Sequence, residues 1–124
     1  MPVELHFENN GSGALLIARD YMAKGELLEA NAKMYEVDTE GRLQYQIVDL
    51  TQLEQEELSV ENFQKLVAMD KQAASDHDGL KVAVVVKRGL LEAISEVYSQ
   101  KANDENLHTK LFETVADARE WISH

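Results

Sequence analysis

The residues of this chain best suited to chemistry sit where its apolar runs break. Asp49 closes the run Ile47-Val48-Asp49-Leu50, and Thr51 follows. Open α/β sheets bind ligands outside the carboxyl ends of their strands, which is where this carboxylate stands. Its plainer role is to accept hydrogen bonds from backbone amides of the segment that follows. Lys87, Arg88 and Gly89 come after the apolar run Val82–Val86 and open a helical pattern. Two cations beside free helix amides suit an anion or an acidic headgroup; the plainer reading is a charged strand end with a permissive glycine. Ser59 precedes a second helical pattern with Glu61 in its first turn, the placement of an N-cap. Asp49 and Arg88 end two strands expected to be neighbours. The candidate site therefore gathers Asp49, Thr51, Ser59, Arg88 and Gly89, with Tyr98 nearby, as a surface for a ligand or partner.

No motif for a known reaction accompanies these residues, and no catalytic residue is assigned. Gly11-Ser12-Gly13 lacks the lysine and later glycines of a phosphate loop, and there is no GxSxG elbow. Without cysteine the chain has no thiolate nucleophile, disulfide or cysteine-ligated metal, which fits a reducing compartment. His6, His77, His108 and His124 fall in different elements. Asp76-His77-Asp78 reads as a solvated helix stop, because adjacent loop side chains seldom converge on a cation. Neither metal nor cofactor is expected. Tyr21, Met22, Met34, Tyr35, Phe63, Met69 and Tyr98 supply adaptable bulk that belongs to a core more often than to a promiscuous site.

The scaffold that must position these groups is a single domain spanning residues 1–124, 44% apolar and long enough to bury a core without staples. Val3, Leu5 and Phe7 alternate with Glu4, His6 and Glu8, the period of a half-buried strand. The turn Asn9–Gly13 leads to the apolar run Ala14–Ala18, so Val3 to Ala18 forms an antiparallel hairpin. Leu27, Leu28, Asn31, Met34 and Tyr35 fall at helical spacing, and Asp38–Gly41 ends that unit. Tyr45–Leu50 is the third strand, and the acidic stretch Thr51–Leu58 reads as a loop. A helix capped by Ser59 buries Val60, Phe63, Leu66, Val67 and Ala74 and stops at Asp76-His77-Asp78-Gly79. Val82–Val86 is apolar on both faces, as a central parallel strand covered on both sides requires. Leu90, Leu91, Ile94, Val97 and Tyr98 make an amphipathic helix. Leu107–Phe112 is the fifth strand, and Thr114 caps a last helix with Val115, Ala118, Trp121 and Ile122 inside. The fold class is α/β: a five-stranded, mostly parallel sheet opened by an antiparallel hairpin, with four helices.

This order, with Ile47-Val48-Asp49-Leu50, the capped helix at Ser59, Lys81–Val86, the helix Leu90–Tyr98, and Leu111-Phe112-Glu113 followed by Ala116–Ile122, resembles the STAS/SpoIIAA-like family in its SEC14-like branch. The resemblance implies a compact domain that binds proteins or small apolar ligands. It also implies a phosphoacceptor at the start of the helix after the third strand, the place of Ser59. There the chain departs from the family, since Glu57 and Leu58 replace the aspartate-serine pair, and Ser59 serves as a cap.

The charge of −11, from 23 acidic and 12 basic residues, excludes nucleic acid and an anionic leaflet as partners; it solubilises the chain or offers Glu54, Glu56, Glu57 and Glu61 to a basic partner. The start Met1–Leu5 lacks the flank and core of a signal peptide, and no apolar run spans a bilayer. The expectation is a cytoplasmic, non-enzymatic interaction module, regulatory in type, forming a symmetric homodimer. The alternatives are a carrier of a small apolar or lipid-like ligand, and a hydrolase without a recognisable motif.

Overall fold

The computed structural model describes residues 3–23, 25–56, 60–77, 79–89, 92, 95, 96, 103 and 105–123. Strand β1 (Val3–Glu8) turns through Asn9–Gly11 into β2 (Gly13–Met22). Asn9 and Asn10 both take positive φ there, a conformation asparagine tolerates better than most residues. Helix α1 (Glu26–Val37), β3 (Tyr45–Glu56), α2 (Val60–Asp76), β4 (Leu80–Val85), β5 (Leu107–Phe112) and α3 (Val115–Ile122) follow. The sheet order is β1-β2-β3-β4-β5, antiparallel between β1 and β2 and parallel elsewhere. Three α-helices lie among the described residues. The fourth predicted helix, Leu90 to Tyr98, falls outside them apart from residues 92, 95 and 96.

β4 is an interior strand, and its side chains serve two cores. Val82 and Val84 join the larger core under α1 and α2, with Leu16, Met22, Met34, Val48 and Leu66. Ala83 and Val85 join Tyr45, Ile47 and Ala118 on the opposite face, which α3 covers. The unbroken apolar run thus matches a strand buried on both sides. Thr114 caps α3 as its sequence implies, accepting a hydrogen bond from the Asp117 amide at 3.1 Å. No described helix is long and apolar enough to cross a membrane.

Two elements outrun their sequence-based limits. β2 continues past Ala18 to Met22, and β3 continues past Leu50 to Glu56, so most of the segment expected as an acidic loop is strand. The two extensions pair with each other, Arg19 with Gln52 and Met22 with Glu56, through two register shifts that add residues on the β3 side. Polar side chains tolerate this because the backbone bonds are made between the strands, leaving Gln52 and Glu54 in solvent. Arg19 anchors the start of the extension, bonding Glu4 on β1 and Gln52 on β3.

At the other end of β3, Gly13 lies directly beside Tyr45, and a Cβ there would fall 2.0 Å from the ring. The ring cannot move aside cheaply: it is buried, and its hydroxyl is held by Glu8 and Asn9. Gly13→Ala should therefore cost about 1–3 kcal/mol in urea unfolding. Tyr45→Leu in that background should recover part of the loss, and additive losses would refute the clash. Val84→Asp places a charge in the larger core at a cost of several kcal/mol, and circular dichroism should show no cooperative melt. A transition at the wild-type temperature would contradict that placement.

Candidate functional site

At the carboxyl end of the sheet, Asp49 is buried at the last residue of β3 that pairs with β4, opposite Val85. Its Oδ1 accepts hydrogen bonds from the Thr51 amide at 3.0 Å and the Thr51 hydroxyl at 2.7 Å. That is the backbone-satisfying role a strand-closing aspartate can take, and it sits at the first register shift, where β3 parts from β4 and continues with β2 alone. Arg88 lies three residues beyond β4, strongly exposed, and donates to Glu113 beyond β5 at 2.8 Å. That ion pair holds its guanidinium above the ordinary arginine range. Gly89 takes φ 127°, a conformation that strains any other residue. The structure joins Asp49 to Thr51 and Arg88 to Glu113; among the described residues no hydrogen bond or ion pair links the two groups. Ser59 and Tyr98 lie outside the described residues.

A second cluster escaped the sequence. Asp70 on α2 is 2% exposed, and its Oδ1 accepts from Tyr35 Oη (2.6 Å), Asn31 Nδ2 (3.1 Å) and Gln46 Nε2 (3.2 Å). Gln46 Nε2 also donates to Tyr35 Oη at 3.0 Å. Burial pushes the Asp70 carboxyl up to about 6 against the downward pull of these three donors, and burial followed by the Asp70 charge pushes the Tyr35 hydroxyl up. Gln46 Oε1 is buried with no hydrogen-bond partner among the described residues. A signal existed: Asp70 stands four residues from both Leu66 and Ala74, and Asn31 four from Leu27, so each is a polar residue on an apolar stripe.

His77 corrects the sequence reading. α2 does stop here, at Asp76, but His77 is not solvated: its side chain is 10% exposed and lies between the ends of α1 and α2. Nδ1 lies 2.6 Å from the Ala73 carbonyl and Nε2 lies 2.7 Å from Asp38 Oδ2. Asp38 also accepts from the Arg42 and Leu43 amides. Burial raises the Asp38 carboxyl, but these donors outweigh it and hold it below the usual range. Asp38 thereby ties the turn after α1 to the end of α2.

The amino ends of the parallel strands frame an open cleft of about 560 Å³, lined in part by Tyr45, Lys81 and His108. These three are register neighbours across β3, β4 and β5. Lys81 Nζ donates to the Trp121 carbonyl at 3.3 Å and lies 5.3 Å from the centre of its ring. Sequence reasoning placed no residue here, because it looked only at the carboxyl ends.

No protein-family model matches the chain, and no curated protein matches it in sequence. Among solved structures it is similar to an uncharacterized protein of the DUF3478 family with a SpoIIAA-like fold from Shewanella loihica PV-4. The TM-score is 0.61 at 17% identity, covering 97% of this chain and 91% of that one. The chain has a SpoIIAA-like fold, as the sequence resemblance implied.

The Asp70 cluster makes stability depend on pH with a definite sign. The folded-state pKa lies above the ordinary value of 3.8, so the native state holds a proton that the unfolded chain has lost. This contribution is complete below the unfolded value and disappears as pH rises through about 6. Asp70→Asn removes that dependence. Between pH 4 and 7 the variant should gain on wild type by on the order of 2–3 kcal/mol in urea titrations. A difference that does not change with pH would refute the assignment.

Proposed function

We propose that the protein is a cytoplasmic, non-enzymatic interaction module whose docking face is the carboxyl edge of the sheet, and that its partner is a basic protein segment. The observation that carries this reading is the ribbon formed by the ends of β2 and β3. Among the described residues, β2 from Arg19 and β3 from Leu50 pair only with each other. The ribbon carries Tyr21, 47% exposed, close to the exposed acids Asp20 and Glu54. Tyrosine supplies contact area at low entropic cost, and flanking carboxylates steer a cationic partner. On this reading Asp49 and Thr51 shape the base of the ribbon, while Arg88, paired with Glu113 beyond β5, stands outside it.

A photo-cross-linking residue in place of Tyr21 tests this in a lysate of the producing cells, with Val37, 49% exposed at the end of α1, as the control position. Position 21 should yield a discrete protein adduct that position 37 does not. The double change Asp20→Lys, Glu54→Lys should abolish it. Arg88→Ala should leave both the adduct and the melting temperature unchanged, since Arg88 pairs with Glu113 beyond β5, away from the ribbon, and exposed ion pairs contribute little. The same adduct from position 37, or an adduct indifferent to charge reversal, would refute the proposal.

A further inference from the structure

The amino edge of the sheet differs in charge from the rest of the molecule. In a chain of formal charge −11, none of the described residues lining its cleft is Asp or Glu. Elsewhere the arginines are already committed to carboxylates: Arg19 to Glu4, Arg42 to Glu40, Arg88 to Glu113 and Arg119 to Glu8. Lys81 is not. It is half-buried, its acceptor among the described residues is the Trp121 carbonyl, and an ammonium carries three protons. Beside it in register, exposed His108 lines the same cleft. Glu8, bonded to the Tyr45 hydroxyl, is neutralised by bidentate bonds from Arg119. Tyr45 and Ile122, which pack on the α3 side of the sheet, add apolar wall.

From this juxtaposition we propose that the cleft binds a small organic carboxylate. Its carboxylate accepts from Lys81 Nζ, with His108 as the flanking donor, and its apolar body lies along Tyr45 and Ile122. The volume of about 560 Å³ lies within the range of small-molecule sites. Lys81 is held in place by Trp121, whose ring centre lies 5.3 Å from Nζ and whose carbonyl takes one of its three protons. A single ammonium without arginine forks suits a monovalent carboxylate better than a phosphate, which favours bidentate guanidinium recognition. This site lies at the opposite sheet end from the protein-docking face and does not depend on it.

The test is an amide-resolved NMR titration of the whole chain with hexanoate, with hexanamide as the uncharged isostere and with inorganic phosphate. Hexanoate should give saturable shifts confined to Ser12, Gln44, Gly79, Lys81 and His108, and hexanamide should bind at least about tenfold more weakly. Lys81→Met should weaken hexanoate by a similar factor. Because Lys81 also packs on Trp121, His108→Glu supplies a second variant at an exposed position, and it should abolish binding while the remaining spectrum stays unchanged. Absence of saturation, equal binding of hexanamide, or phosphate binding as tightly as hexanoate would each overturn the proposal.

Discussion

The structure depends on the two-sided burial of β4. A parallel strand inside a sheet has backbone partners on both edges and needs apolar cover on both faces. Val82 and Val84 meet α1 and α2, while Ala83 and Val85 meet α3. Polar side chains with work to do are then driven to the two ends of the sheet, where the strands finish and the backbone is no longer paired. That is why Lys81, His108 and Arg88 lie at or just beyond strand ends, and why Asp49 stands where β3 parts from β4.

Periodicity made most of this frame legible. The strand at Val3, the double-faced run at Val82 and the Thr114–Asp117 cap each report a local constraint that the tertiary structure keeps, although the alternation fails at Phe7, which is exposed. The reading failed at Thr51 to Glu56 for an identifiable reason. A ribbon that leaves the sheet needs no continuous apolar face, so its strand residues look like a loop, and bulges break whatever alternation remains. The candidate site was legible only as separate pieces. Asp49 can be assigned a strand end from sequence, but that Thr51 would satisfy it, or that Arg88 would turn toward Glu113, depends on register and loop path.

The row Tyr45, Lys81 and His108 was invisible for a stronger reason. Each residue opens a different strand, separated from the next by a crossover, and no spacing in the sequence links them. Only the register of two parallel ladders brings them side by side. A register slip of one residue would move each side chain to the other face.

The buried cluster around Asp70 shows what a polar group inside this core accomplishes. Three donors among the described residues come from two elements other than its own: Asn31 and Tyr35 from α1, and Gln46 from β3. An apolar contact tolerates sliding by a fraction of a residue, but three hydrogen bonds converging on one oxygen do not, because each loses strength with distance and angle. The cluster therefore fixes α1 and α2 against β3 at one position, and the His77–Asp38 pair fixes the same two helices at their ends. Both constraints act on the face opposite α3. The sheet is held from that side, and the row of strand starts facing α3, including Lys81 under Trp121, inherits its geometry from a polar core it does not touch.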